Sequence, residues 1–359
     1  MKLLKTIPMI IFIAINLTMI VAMNFCAYSA WIPPQEHMGW SYFGLMFPAL
    51  LVLNLCFIPF WLIFKRKLTL LPIVGLLLCA GAIRAYIPLN PTTTPPEGCL
   101  KVLSYNVMSF GDEKAYDVET NPILLYLLDS DADIICLQEA RKNFMDRVID
   151  KFDSIYPYKS LELSPNNYMV CFSRFPIDSM ARVDGMEKDN MALAYWMRVG
   201  DDTLLLINNH LESYRLSKDD KEDYKSIIVN YKHPENNHSE IKYQSLTEKL
   251  SMHDSIRGLQ ADSVAAFVEQ HEGWYIVACG DLNATPISYP HHRLTRHLND
   301  AYTRSGNGPG LSYNRSGMYF RLDHILVSPN ITAYGATVDQ TISVSDHYPI
   351  YSFVKLEEK

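Results

Sequence analysis

Three runs with almost no charge, residues 9–32, 43–64 and 69–86, dominate the first part of the chain. Each approaches the roughly 20 residues a helix needs to cross a bilayer, where no water satisfies backbone N–H and C=O groups. Three such runs in succession, separated by short polar connections, predict three transmembrane helices rather than three buried core helices. Lys2 and Lys5 precede the first run, and Lys65, Arg66 and Lys67 separate the second from the third. Two crossings put both basic clusters on one side, cytoplasmic by the positive-inside rule, so the third helix delivers everything after about residue 90 to the outer face. The competing reading is a cleaved leader ending near Ala27-Tyr28-Ser29. Its apolar stretch is too long for that, and the C-terminal part would still lie outside.

Pro91, Pro95, Pro96 and Gly98 make residues 91–98 an extended linker, the composition of a semi-rigid spacer. The expected organisation is therefore a membrane region over 1–90, this linker, and a folded domain over 99–359. Residues 1–98 carry six Lys/Arg and two Asp/Glu, a net of +4 in a chain of net −7, which leaves −11 beyond the linker. Non-specific nucleic-acid binding relies on Lys and Arg displacing counterions, so nucleic acid is the less favoured partner. Of the seven cysteines, Cys26, Cys56 and Cys79 lie in the apolar runs and Cys136, Cys171 and Cys279 in strand-like stretches. They read as small hydrophobes, not as a disulfide framework or a zinc site.

After residue 99 short apolar runs alternate with polar segments. Strands are expected at 101–107, 132–140, 168–174, 192–199, 203–211, 274–281, 323–328 and 348–354. Helical periodicity appears at about 121–129 and at 241–270, where Leu246, Leu250, Leu259 and Phe267 mark one apolar face. Strands mixed with a few helices indicate an α/β or α+β sandwich. Residues 212–240 read as a solvated surface insertion, with a substrate-facing loop as the alternative.

The informative pattern is where the strands stop. KVLSYN ends in Asn106, ADIICLQE in Glu139, TLLLINNH in His210, and WYIVACGDLN delivers Asp281 and Asn283; RLDHILV opens with Asp323, and SVSDHYPI carries Asp346 and His347. Polar groups at the ends of buried strands are costly without partners, so these ends are expected to meet at one rim and partner one another and a cation. Glu139, Asp281, Asn106, Asn283 and Asp346 offer hard oxygens, the preference of Mg²⁺. His210 and His347 are the groups that exchange protons near neutrality.

The stretches LSYNVMSF, DIICLQEA, FSRFPI, NNHLES, ACGDLNATP, RLDHILVS and SDHYPIYS, in this order, resemble the endonuclease/exonuclease/phosphatase superfamily. The resemblance implies a four-layer α/β sandwich of two packed mixed β-sheets flanked by helices, preceded here by the three transmembrane helices. It implies Mg²⁺, or Mn²⁺ in its place, with Glu139 as principal ligand and Asn106 and Asp346 supporting the metal site. Asp281 would orient or deprotonate the attacking water, and Asn283 would bind a phosphate oxygen. His347 would act on the scissile phosphate with Asp323 fixing its tautomer, and His210 would donate to the phosphate or protonate the leaving oxygen. DNase-like members orient the histidine matching His210 with a second carboxylate, and none is found near Arg174-Phe175-Pro176. His291, His292 and His297 read as a solvent-exposed segment.

These readings predict a membrane-anchored, outward-facing Mg²⁺-dependent hydrolase of phosphoester bonds, favouring a lipid headgroup or small phosphoester, with no protein partner. The alternatives are a metal-dependent nuclease acting on DNA or RNA, and an inactive module that holds a phosphorylated ligand or a protein. Inactive descendants usually lack one of the metal or acid/base residues, and here every expected position is filled.

Overall fold

The computed structural model describes residues 2–37, 39–111, 117–165, 167–183, 190–215, 237–315 and 318–358. Strands buried on both faces need near-continuous apolar runs, and all eight runs expected from the sequence form strands, with ends within two residues of expectation. They are β1 (Leu100–Asn106), β2 (Ile134–Arg141), β4 (Asn167–Ser173), β6 (Met191–Val199), β7 (Asp202–His210), β8 (Tyr275–Asp281), β10 (Asp323–Val327) and β12 (Ile350–Leu356). Four further strands had no such run to announce them: β3 (Tyr158–Leu163), β5 (Ile177–Arg182), β9 (Asn299–Asp300) and β11 (Ile331–Val338). All four are sheet edges, since the sheets run β11-β12-β1-β2-β4-β3 and β5-β6-β7-β8-β10-β9. An edge strand is half solvated, so its sequence is mixed.

The two sheets face each other across an apolar layer that includes Val102, Cys136 and Cys171 from the first and Leu193, Leu206, Val277, Cys279 and Ile325 from the second. Residues in between point outward, as a period of two requires. Leu103, Ile135 and Leu137 meet Ile123, Leu127, Phe144 and Val148 on helices Pro122–Asp129 and Lys142–Val148. Ala194, Ile207 and Ala278 meet the long helix Asn237–Gln270. The result is the expected four layers. The cysteines described are all free.

The first helix starts where its sequence caps it: Asn121 Oδ1 accepts from the Ile123 and Leu124 amides at 3.0 and 3.1 Å, with Pro122 at the first position. On the long helix three of the four residues expected on the apolar face pack inward: Leu246 and Leu250 are buried and Phe267 packs against the sheet, but Leu259 is 55% exposed. Ala261, Val264, Ala265 and Val268 complete the packed face, small residues that let the helix lie close on the sheet.

In the N-terminal region two helices, over Pro8–Trp31 and Phe43–Phe64, are long and apolar enough to cross a membrane. The expected third span is broken. Its residues form helices Leu70–Leu78 and Ala80–Tyr86, bent by 65°, and it counts as a span only if the bent pair is taken as one. The break coincides with a contact from the first helix. The Gly75 carbonyl, which would accept from the Cys79 amide in a continuous helix, instead accepts from Asn24 Nδ2 at 3.3 Å and Cys79 Sγ at 3.4 Å, and the Cys79 amide turns to Leu76 O. Elsewhere the bundle is fastened by side-chain amides: Asn16 donates to Asn54 and Asn54 to Pro72 O, at 3.3 and 3.1 Å, while Trp61 donates to Asn16 at 2.9 Å.

Candidate active site

Among the described residues only two strand pairs are parallel, β1 with β2 and β7 with β8. Parallel neighbours end on the same side, and in open α/β sheets ligands gather outside those carboxyl ends. Here the ends are Asn106, Glu139, His210 and Asp281. Face-to-face packing of the sheets brings the four together, and β10, antiparallel to β8, adds Asp323 directly opposite Asp281.

Asn106 is the hinge of the cluster. Its Nδ2 donates to Glu139 Oε1 at 3.0 Å and Asp281 Oδ2 at 3.1 Å, and its Oδ1 accepts from the Met108 amide at 3.1 Å. As placed, it orients two carboxylates and engages its oxygen with backbone. Glu139 is set by a β-bulge between Leu137 and Ala140, with φ of 55°, a region a non-glycine residue rarely occupies. His210 Nε2 lies 3.4 Å from Glu139 Oε1. On the other side His347 Nδ1 donates to Asp323 Oδ2 at 2.8 Å, and its Nε2 faces Asp281 Oδ2 at 3.6 Å. Asp281 Oδ1 accepts from the Asn283 amide at 2.8 Å, holding Asn283 at φ of 48°.

The electrostatics follow from crowding charge away from water. Burial pushes Glu139 up, but the His210 hydrogen bond and charge, with help from Asn106 and His347, outweigh it and hold the carboxyl at about 2. Burial, reinforced by Asp323, raises Asp281 despite the opposing imidazoles. For both histidines burial acts downward and loses: Glu139 raises His210, and Asp323 and Asp281 raise His347 well above its ordinary value. Asp323 is fully buried and its Oδ1 has no partner.

Residues 103–347 match the model of the Endonuclease/Exonuclease/phosphatase family. The chain belongs to that family. Residues 9–86 match a separate domain of unknown function (DUF8431). No match was found among curated protein sequences. Among solved structures, the human Nocturnin catalytic domain with bound sulfate is similar at 16% identity and a TM-score of 0.53, covering 73% of this chain and 96% of that one. TDP2 from D. rerio, complexed with a single-strand DNA product, gives 14%, 0.52, 72% and 100%. ANGEL2, a 2′,3′-cyclic phosphatase in complex with adenosine-2′,3′-vanadate, gives 15%, 0.51, 75% and 100%. These likenesses establish the fold.

Of the residues expected at this family site, Asn106, Glu139, His210, Asp281, Asn283, Asp323 and His347 come together. Asp346 lines the same cavity but stands 3.9 Å from Arg315 Nη1 rather than against Glu139. The cavity, about 230 Å³, is also lined by Tyr214, Arg257 and Tyr313, which sequence reasoning did not single out. Tyr313 packs edge-on against the His347 ring, centroids 5.1 Å apart. Its signal, a Tyr upstream of RLDHILVS, is too weak to find.

Two expectations need correction. Glu212, read as the start of a solvated insertion, is 1% exposed: it pairs with Asn190, with His253 Nδ1 at 2.9 Å and, through its carbonyl, with Arg257 Nε at 2.6 Å. Residues 216–236 of that segment lie outside the described residues. His291, read as exposed, is 4% exposed and 3.2 Å from Asp300, because its short helix Tyr289–Leu294 is packed under β10. His292 is half-buried against Trp31, and His297 is held 2.9 Å from Glu269. At the end of β8, Gly280 at φ of 132° is required by its neighbour strand, since a Cβ there would stand 2.0 Å from Asn209 O.

Proposed function

We propose that this family member is a metal-dependent phosphoester hydrolase, membrane-anchored, whose folded domain over 99–359 follows a membrane region (1–90) and linker (91–98). The observation that carries this reading is the imbalance of the cluster: three carboxylates, Glu139, Asp281 and Asp323, converge with two imidazoles. The site suits a hard divalent cation, because Glu139 stays ionised at neutrality and its side chain is 34% exposed toward the cavity. Mg²⁺ is the favoured ion, held by Glu139 with Asp346 assisting at longer range and Asn106 orienting the carboxylate. When bound, the ion supplies charge neutralisation at a phosphoryl oxygen.

The chain's own residues do the rest. Asp281, beside protonated His347, is placed to orient and deprotonate a water. Asp323 fixes the proton of His347 on Nδ1, which leaves the Nε2–H directed at the reacting centre. Asn283 binds a phosphate oxygen, and His210, its basicity raised by Glu139, donates to the phosphate or to the leaving oxygen. The charge of −11 beyond the linker and the apolar N-terminal helices favour a lipid headgroup or small phosphoester over nucleic acid, with the domain on the outer face. Full-length protein should hydrolyse such esters with Mg²⁺ and lose the activity in Glu139→Ala; unchanged turnover in that variant would sink the assignment.

A further inference from the structure

One wall of the active-site cavity belongs to the apolar N-terminal region. Pro34, from the connection between the first two apolar helices, and Gly44 and Leu45, from the start of the second, line it together with Glu139, Asp281, Asn283 and His347. This connection is fastened to the family domain. Ser255 Oγ donates to Pro34 O at 3.0 Å, Gln35 Nε2 donates to Asp262 Oδ2 at 2.9 Å, and the Trp31 ring stacks on His292 with centroids 4.8 Å apart. Two glycines permit the approach. A Cβ on Gly258 would stand 2.6 Å from Pro34 Cγ, and one on Gly44 would stand 3.1 Å from Ile287 O. Ile287, just past ACGDLNATP, is buried in a cluster with Met23, Cys26, Phe47 and Leu51. A tether that merely anchors a domain needs none of these contacts.

The cavity's lining is mixed: the carboxylates and imidazoles, joined by Arg215, Asp254 and Arg257, share it with an apolar wall of Leu45, Leu250, Tyr289, Phe320 and Leu322. A substrate that is polar throughout would lay unpartnered groups on that wall and lose their hydration. A substrate with a phosphate next to an apolar body satisfies both kinds of lining, and small-molecule sites of this kind combine an apolar lining with a few placed polar groups. We infer that this connection and the start of the second apolar helix form the specificity wall of the active site, and that the substrate is a phospholipid, its phosphoester at Asp281, Asn283 and His347 and its acyl portion along Leu45, Leu250 and Phe320. This inference rests on the phosphoesterase reading above and names its substrate class.

The test uses the full chain in detergent with Mg²⁺ and two matched pairs of probes: dihexanoyl phosphatidic acid against glycerol phosphate, and dihexanoylphosphatidylcholine against glycerophosphocholine. Within each pair the phosphoester is the same and only the acyl chains differ. The expected result is a kcat/KM ratio of chain-bearing to chain-free probe of about tenfold or more for at least one pair, carried mainly by KM. Leu45→Ala should lower that ratio about tenfold, and Leu45→Met, which restores the volume, should recover it. Equal kcat/KM within both pairs, or a ratio that Leu45→Ala leaves intact, would overturn the wall while leaving the phosphoesterase reading standing. Hydrolysis of none of the four probes, nor of bis(4-nitrophenyl) phosphate, would overturn both.

Discussion

Two buried groups of the same residue types lie on opposite faces of one strand. Asp323 and His324 are consecutive in β10, and the period of a strand sends them apart. Asp323 joins Asp281 and His347; His324 joins His291 and Asp300. In each triad the ligand atoms lie within 4.8 Å of one another, so neither residue type nor distance distinguishes them. Charge balance does. Asp300 is fully engaged: Oδ1 accepts from the Tyr302 amide, Oδ2 from Thr303 Oγ1 and His291, and the buried Arg321 guanidinium stands 3.9 Å away. Burial first raises Asp300, but His291 and Arg321 drive it far below the carboxylate range. Around Asp281, among the described residues, no guanidinium stands within ion-pair distance, although Arg257 lines the same cavity; both groups keep an unpartnered atom, Asp323 Oδ1 and His324 Nδ1, and both border a cavity, so the missing close cation is what separates them. Under the proposed function the balanced cluster is structural, and the unbalanced one takes the cation and substrate.

The largest effects should come from exchanging carboxylates between these roles. Asp281→Asn should cost about 10³-fold or more in kcat with full-length protein. Its stability should be equal or higher, because it removes one of three crowded negative charges; thermal unfolding of the same sample checks this. Asp300→Ala should do the reverse. It strands Arg321 in the interior at about 3–5 kcal/mol, seen in denaturant melts, while turnover per folded molecule is largely kept. A strongly destabilised Asp281→Asn beside a stable Asp300→Ala would break the comparison.

A smaller effect concerns the partner of His347. Asp323→Asn keeps the size of the side chain but removes the charge that holds the His347 Nδ1 proton. Activity should fall by roughly 10²–10⁴-fold, the range for a misplaced acid/base group, and the alkaline limb of the pH–rate profile should move to lower pH because Asp323 is the main group raising His347. A limb that stays in place would argue that His347 is not the group titrating.

How much of this was legible before the structure depends on whether the cause is local. Strands such as β8 announce themselves because both faces are buried, whereas β3 and β5 do not, since an edge carries mixed residues. Asp281 and Asn283 stand out as polar ends of an apolar run. Nothing in the sequence, however, separates His324 from Asp323 until the sheet assigns each a face, and nothing shows that Arg321 will meet Asp300 rather than solvent. The break at Cys79 depends on Asn24, and the placing of Pro34 and Gln35 on the long helix joins residues more than two hundred positions apart, Gln35 with Asp262 among them. Apolar periodicity records burial, and it is silent about which distant surface does the burying.

The mildest test uses pH, because the two clusters carry opposite signs. His324 is pushed down to about 3, first by burial and then by His291. Its Nε2 faces the Ala284 carbonyl at 2.9 Å, so the neutral ring donates there. In the unfolded chain the same ring takes a proton near 6.5, so the unfolded state binds more protons below that value. The stability it contributes is full above about pH 6.5 and is lost as pH falls toward 3, about 2 kcal/mol of it by roughly pH 5. His347 is raised in the folded state, so its contribution is full below its unfolded value and is lost as pH rises through the folded one. Urea melts of chelator-treated protein should therefore show His324→Gln flattening the acid limb of stability, and His347→Gln flattening the alkaline limb. The same limb responding to both variants would mean that the two clusters are electrostatically one, and that the division drawn across β10 is only geometric.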